Sequence, residues 1–365
     1  PTQIGVEVLD RQTGFVDALK DQGRLFMNTA GTATAPTDAN GWPTTDGMLV
    51  VFDNRPVPAW TGTIDDPAQN QPNCSGWYTM SFNGQATLSS VTNAPVLTFA
   101  NQTYNSSTNT TTVSVYMPGG ATYAAGQAVM QINFTNTIRT YGGATNTGVT
   151  NVQVIRPGFT VAQANSIQPF DPVFLNSLQP FAYLRVMDWL GTNTNPFYGS
   201  GATPTIGWSD RSLPTDEFQG LGVSLRHGAW GVSWEYIILL ANAANKDIWI
   251  NIPVNATGSS DPLDPAYVAS PDTTSYIYNL AYLLKNGDAF TGNVGLNSNL
   301  HIYIEDSNEV WNSSSAEDWW NAAAANAEGC NSGSPLCNDG DSNSIDWAAR
   351  RHIKRMYEIG NIFQG

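Results

Sequence analysis

From residue 151 onward, strand patterns alternate with helix patterns, and this alternation limits the possible folds more than any other feature of the sequence. Short runs rich in β-branched and aromatic residues are predicted strands. They cover 151–155, 181–189, 247–252 and 301–307. Strands that alternate with helices form parallel sheets through right-handed crossovers. The sequence therefore predicts an α/β domain over residues 151–365.

The loops that follow the second and fourth of these strands are long and rich in aromatic residues. These residues are Phe197, Tyr198, Trp208, Trp230, Trp311, Trp319 and Trp320. Long loops at the C-terminal ends of parallel strands form the working face of a (β/α)8 barrel, the TIM barrel. We expect this architecture, with only about the first four βα units in this chain. The remaining half of the barrel would come from further C-terminal sequence or from a second chain, and an open α/β layer is the alternative.

Residues 1–150 predict a separate domain with a short N-terminal helix over 15–26. Short strands between residues 47 and 134 are separated by Gly, Pro and Asn turns, which is the spacing of an antiparallel β-sandwich. The fold class is thus multidomain, β followed by α/β. We interpret the first domain as a structural module, and carbohydrate binding through Trp60 or Trp77 is the alternative.

The composition excludes one class of partner and favours one location. Charged residues make up 12% of the chain and the net charge is −15, so no basic surface is available for nucleic acid. No apolar run approaches the ~20 residues of a membrane span. A surface of Thr, Ser, Asn, Gln and Gly is typical of an extracellular protein, either secreted or at the cell surface. No metal constellation is visible in the sequence, and no cofactor is expected.

Two kinds of motif fit an extracellular location. Sequons of the form Asn-X-Ser/Thr predict glycosylation at Asn73, Asn101, Asn105, Asn109, Asn133, Asn255 and Asn312. The cluster from Asn101 to Asn109 is the strongest of these predictions. Cys330 and Cys337 are close enough in sequence to close a small disulfide loop in an oxidising compartment.

The strand over 301–307 ends in Asn308 and Glu309, and Trp311 follows at once. A carboxylate at the C-terminal tip of a parallel strand lies where barrel enzymes place catalytic groups. For an Asn-Glu pair alone, an ordinary surface glutamate is the alternative. The surrounding strand and loop pattern favours the catalytic interpretation.

The segment 304–312 is similar to the strand-four motif of the retaining glycoside hydrolases with (β/α)8 barrels. The chain also resembles a poorly characterised group of secreted bacterial proteins that are sometimes labelled cellulose-binding. The similar stretches are 40–43, 156–158, 184–188, 249–253 and 307–312. The resemblance implies that Glu309 is the general acid/base and that Asn308 contacts a sugar 2-hydroxyl group. It also implies a nucleophile on a seventh strand, which this chain does not contain, and Asp306 stands where the family has an aromatic residue.

Further residues are predicted to line or support this site. Substrate binding is predicted for Trp311, Trp189, Asn251, Asp188 and Trp230, and a structural ion pair for Arg185 and Glu305. The leading hypothesis is an extracellular glycoside hydrolase-like protein that acts on or binds a polysaccharide or oligosaccharide. The alternative is a catalytically silent, glycosylated structural or carbohydrate-binding surface protein, because a glycan on Asn312 would crowd a catalytic mouth at Glu309.

Overall fold

A computed structural model describes residues 2–3, 14–21, 26–53, 74–92, 95–118, 129–194, 204–217, 219–220, 231–329 and 333–365. The chain divides into two compact units. The antiparallel unit comprises Val6–Leu178 and Thr215–Val223. The parallel-sheet unit comprises Pro1–Gly5, Gln179–Pro214 and Ser224–Gly365.

Both units are built from short strands and helices. In chain order, the strands are β1 (Thr2–Gln3), β2 (Gly47–Asp53), β3 (Gly76–Asn83), β4 (Gln85–Ser90), β5 (Thr98–Asn105), β6 (Thr110–Met117), β7 (Val129–Ile138), β8 (Thr150–Ile155), β9 (Tyr183–Arg185), β10 (Asp247–Ile252) and β11 (Ile302–Asp306). The α-helices are α1 (Val161–Ala164), α2 (Pro172–Ser177), α3 (Trp234–Ala244), α4 (Pro271–Thr274), α5 (Tyr276–Asn286), α6 (Ala316–Glu328) and α7 (Ser344–Gln364). Short 3-10 helices cover Ala18–Asp21, Thr192–Thr194, Trp208–Asp210 and Pro335–Cys337.

The antiparallel unit contains two sheets that share one hydrophobic core. The strand orders are β2-β7-β4 and β5-β6-β3-β8. Alternate residues of both sheets enter the core, such as Leu49 and Phe134 from one sheet and Met80 and Val115 from the other. The alternation in β3 and β6 buries one face of each of these strands, whereas β2 is buried on both faces.

A buried polar turn lies beside β8 in the same unit. The predicted helix over 15–26 is a single 3-10 turn, Ala18–Asp21, within the described residues, and positions 22–25 lie outside them. The carboxylate of Asp21, the last residue of this turn, is 2.7 Å from the guanidinium of Arg156. It also accepts hydrogen bonds from the backbone N–H groups of Gly14 and Phe15. Asp17 accepts the Val154 N–H at 2.8 Å. These hydrogen bonds compensate the burial of charge inside the unit.

The parallel-sheet unit contains an open sheet of order β1-β9-β10-β11, in which all pairs are parallel and β1 has only two residues. The predicted (β/α)8 barrel is therefore wrong: within the described residues the sheet has four strands and does not close. The predicted first barrel strand is also wrong, because β8 pairs antiparallel with β3. The alternation of Val152 and Val154 with Asn151 and Gln153 fits this pairing, since over residues 151–154 it buries one face only, as antiparallel strands do.

Three helices of the parallel-sheet unit begin at side-chain caps. Ser275 caps α5 and Ser315 caps α6 by accepting backbone N–H groups, and Asn343 does the same for α7. A break at Ser275 separates α4 from α5. The predicted long loop after β11 contains α6. Within the described part of the chain, no helix combines the length and hydropathy needed to cross a bilayer.

Candidate functional site

The parallel sheet has one apolar face and one face that carries polar and aromatic side chains. Ile248, Ile250 and Ile252 of β10 are buried on the apolar face. At the end of the same face, Asp306 contacts His352 of α7 at 3.1 Å, so this is the face that helices cover. The opposite face carries the intervening residues of the three longer strands, Tyr183, Arg185, Trp249, Asn251, Tyr303 and Glu305, and we call it the aromatic face.

Glu305 occupies a fixed position on the aromatic face. Its Oε2 accepts hydrogen bonds from Arg185 Nη2 at 2.9 Å, Trp249 Nε1 at 3.0 Å and Asn251 Nδ2 at 2.7 Å. Its Oε1 accepts no hydrogen bond from the residues that the structure describes. The side chain is 30% exposed. One oxygen is therefore anchored, and the other is available to a ligand hydroxyl group.

Aromatic rings surround this carboxylate. The Tyr183 ring centroid lies 6.2 Å from that of Trp249 and 5.6 Å from that of Tyr303. The guanidinium of Arg185 lies 5.0 Å from the Trp249 ring centroid, within cation–π distance. Tyr303 is 47% exposed. The aromatic face thus combines a rigid polar centre with apolar ring surface that solvent can reach.

Two left-handed residues turn the chain sharply at the end of β11. Ser307 and Glu309 have φ values of 60° and 47°. The intervening Asn308 is buried, and its Oδ1 accepts a hydrogen bond from Arg185 Nη2 at 2.8 Å. Its Nδ2 donates to Asn193 Oδ1 at 2.9 Å. Asn308 therefore ties the turn to β9 and to the loop that follows it.

Glu309 lies on the surface of this turn. Its side chain is exposed, and its Oε2 accepts a hydrogen bond from Asn312 Nδ2 at 2.9 Å. The neighbouring indoles are exposed as well, since Trp311 is 78% and Trp319 is 52% exposed. The Trp319 Nε1 donates to Ser313 O at 2.7 Å, which holds that ring on the loop.

A second carboxyl group lies close enough to interact with Glu309. Glu317, in the first turn of α6, is buried. Burial raises the pKa of Glu317, and the negative charge of Glu309 raises it further. An exposed carboxyl group after β11 and a buried carboxyl group at the start of α6 therefore interact.

The other predicted binding residues fall into three environments. Trp189 and Asn251 are buried, and Asn251 positions Glu305 and also donates to Ser307 O at 2.6 Å. Asp188 is partly exposed. Trp230 lies outside the described residues.

The predicted glycosylation sites differ in accessibility. Asn101 and Asn105 are exposed, whereas Asn109, Asn133 and Asn312 are partly buried, Asn255 is fully buried, and Asn73 lies outside the described residues. The Nδ2 of Asn255 donates to Pro204 O at 3.1 Å. The side chain of Asn255 is thus buried and hydrogen-bonded, which disfavours a glycan at this position.

Cysteines and metal ligands add little to the site. Cys337 takes part in a disulfide bond. Cys330 lies outside the described residues, so its pairing with Cys337 stays a prediction. Within the described ranges, no group of three His, Cys, Asp or Glu side chains is placed to hold a metal ion.

Four residues near the site, Tyr183, Trp249, Tyr303 and Glu317, were not predicted from the sequence. A signal for the first three was present, because residues two apart on a strand point to the same face. Tyr303 and Glu305 are two apart, and so are Tyr183 and Arg185. Glu317 had no comparable signal, since its approach to Glu309 depends on where α6 begins.

Fold and site together define a protein with an antiparallel unit, a unit built on an open parallel sheet, and an aromatic face centred on Glu305. No family model, no curated protein and no solved structure matches the chain.

Proposed function

We propose that this chain is an extracellular protein that binds a neutral polysaccharide or oligosaccharide on the aromatic face. One observation carries the proposal: Glu305 has one anchored oxygen and one oxygen with no partner among the described residues, in the middle of partly exposed rings. Ligand sites combine apolar surface with a few fixed polar groups in this way.

Stacking and hydrogen bonding would share the binding energy. Sugar rings present C–H groups that pack on aromatic faces, and Tyr303 and Trp249 provide such faces on two neighbouring strands of the sheet. The Glu305 Oε1 accepts a hydrogen bond from a sugar hydroxyl. A hydrogen bond to a charged acceptor contributes roughly 1.5–3 kcal/mol, less when solvent reaches the group.

Two features support an extracellular location. Cys337 is disulfide-bonded, and such bonds persist in oxidising compartments. The surface composition, with 12% charged residues, is the second feature.

Calorimetric titration tests the proposal, because it reports both affinity and number of sites. The probes are cellohexaose, mannohexaose and isomaltohexaose, with hexagalacturonate as the anionic control. Tyr303→Ala and Glu305→Gln should each remove one binding site or weaken it at least about tenfold. Tyr357→Ala is the matched control, since Tyr357 is an exposed tyrosine on α7 of the same unit. The proposal fails if both variants bind every probe as the wild type does.

A second candidate function is hydrolysis of the bound glycan, with Glu309 as the proton donor. The observation that favours it is the electrostatic interaction of exposed Glu309 with the buried carboxyl group of Glu317. Glycoside hydrolysis needs two carboxyl groups near the scissile bond. Glu317 is buried, so it would act on the reaction only through Glu309 and would not itself be the second carboxyl group at the scissile bond.

Release of reducing ends from hydroxyethyl cellulose, glucomannan and dextran tests this candidate. Glu309→Gln should lower the rate at least ~100-fold while leaving binding intact. Asp318→Asn is the control, because Asp318 is the neighbour of Glu317 in the first turn of α6. Equal rates in Glu309→Gln and wild type would remove Glu309 from any mechanism.

A further inference from the structure

The antiparallel unit has an open sheet face of its own, which is separate from the aromatic face of the parallel sheet. The strands β5, β6, β3 and β8 contain no Asp, Glu, Lys or Arg. Their inward residues fill the core, and their outward residues are mainly Thr, Ser, Asn and Gln together with two aromatic rings. The outward face of these four strands therefore carries no charged side chain of their own.

The outward residues of β3 and β6 lie side by side in three registered pairs. These pairs are Trp77 with Tyr116, Thr79 with Ser114, and Ser81 with Thr112. We call these six residues the hydroxyl face. Against β8 the sheet is covered by α1, where Ile155 and Ala164 are buried, so the open surface lies over β3 and β6.

The hydroxyl groups of the hydroxyl face have no partner among the residues that the structure describes. Within the part of the chain that the structure describes, the hydroxyls of Thr79, Ser81, Thr112 and Ser114 make no hydrogen bond. Each hydroxyl can donate one hydrogen bond and accept two. Four adjacent hydroxyls are therefore available to an external ligand at the spacing of neighbouring strands, about 4.8 Å.

The aromatic pair closes one end of this surface. The Trp77 and Tyr116 ring centroids are 5.0 Å apart with an interplanar angle of 44°. Trp77 is 50% exposed, although the indole is among the largest apolar side chains. The pair forms an apolar surface next to the Ser and Thr hydroxyl groups of the hydroxyl face.

We propose that the hydroxyl face is a second glycan-binding surface, which takes a neutral polysaccharide chain lying across β3 and β6. A sugar ring stacks on Trp77 and Tyr116, and the following sugar units exchange hydrogen bonds with the Ser and Thr hydroxyls. A neutral ligand matches a face without charge. Nucleic acid does not, because no Lys or Arg is present for its phosphates.

A second protein sheet is a poorer match than a glycan. Sheets that pack face to face do so through apolar side chains. Below the aromatic pair, the hydroxyl face carries only Thr and Ser, whose hydroxyls would lose water without gaining partners. This proposal does not depend on binding at the aromatic face.

Calorimetric titration of the full chain with cellohexaose, mannohexaose and isomaltohexaose tests the proposal. Trp77→Ala and Thr112→Lys are made in the wild-type chain and in the Tyr303→Ala chain, so that sites on the two units are counted separately. In both backgrounds, each change should remove one site for at least one probe or weaken it at least about tenfold. Both positions are exposed, and an unchanged circular dichroism spectrum verifies folding.

Tyr141→Ala is the matched control. Tyr141 is 69% exposed, and its ring stacks on that of Tyr104. Tyr104 pairs with Thr111, which alternates with the residues of the hydroxyl face along β6, so this ring pair is not part of that face. Its binding should equal that of the wild type. The proposal is overturned if Trp77→Ala and Thr112→Lys bind like their parent chains, or if no probe binds. It is also overturned if sedimentation shows that the face joins two copies of the chain and Thr112→Lys separates them.

Discussion

The buried ionic cluster that holds α7 gives the sharpest stability prediction. Asp264 and Arg351 are both buried, and Asp264 Oδ1 lies 2.8 Å from Arg351 Nη2. The other oxygen of Asp264, Oδ2, lies 3.1 Å from Lys354 Nζ. Arg351 also donates to Asn321 Oδ1 at 2.9 Å, which links α7 to α6. The change Asp264→Asn keeps the shape of the side chain, removes its charge and replaces one acceptor oxygen by a donor NH2 group.

The expected cost follows from burial and from the number of cations. Burial opposes the charge of Asp264, but Arg351, Arg355 and Lys354 outweigh burial and hold the pKa of this carboxyl group well below its usual range. The ionised carboxylate is therefore stabilised in the folded state. Removing one partner of a buried ion pair costs about 3–5 kcal/mol, because the remaining charge stays buried without compensation.

Equilibrium unfolding in urea at pH 7 measures this cost as a lower midpoint at constant slope. Asp339→Asn is the control, since Asp339 forms an exposed ion pair with Arg350 near the start of the same helix and should change the midpoint little. Because the folded pKa of Asp264 is depressed, its contribution is present above the unfolded value of about 3.9 and is lost as the pH falls below it. Equal midpoints for Asp264→Asn and Asp339→Asn would refute the reasoning.

Two further predictions concern the antiparallel unit. Gly148→Ala should destabilise this unit far more than Gly142→Ala. Both glycines have positive φ, so the backbone strain is similar. A Cβ at position 148 would lie 1.8 Å from Pro43 O, whereas a Cβ at position 142 meets nothing within 4 Å. Gly142→Ala should cost only about 1–2 kcal/mol of backbone strain, and similar urea midpoints for the two variants would contradict the clash at position 148. Burial raises the pKa of Asp21 to about 6, so its contribution to the free energy of unfolding should decrease as the pH rises from about 4 to about 6. Urea unfolding at both pH values should show a weaker pH dependence in Asp21→Asn than in wild type, and an identical dependence would count against the raised pKa.

Local patterns in the sequence were enough to place most of the regular elements. The alternation of Val113, Val115 and Met117 predicts a strand with one buried face, and all three are buried. Asp171 followed by Pro172 predicts a helix start, and Asp171 caps α2. Such signals depend only on neighbouring residues, so the sequence alone determines them.

The candidate site was predicted only in part for the same reason. The sequence pointed to Glu309 at the end of β11, but the aromatic face arises from strands far apart in the chain. Arg185 and Glu305 are separated by 120 positions and meet because β9 and β11 flank β10. No local pattern specifies which strands become neighbours.

The sequence by itself determined where most strands and helices form and which side of many of them is apolar. Only the tertiary structure decided that β8 joins the antiparallel sheet, that β1 joins the parallel sheet, and that this sheet stays open with Glu305 at the centre of an aromatic face. The physical reason is that periodicity selects the local backbone conformation, whereas strand pairing and side-chain hydrogen bonding depend on the whole chain.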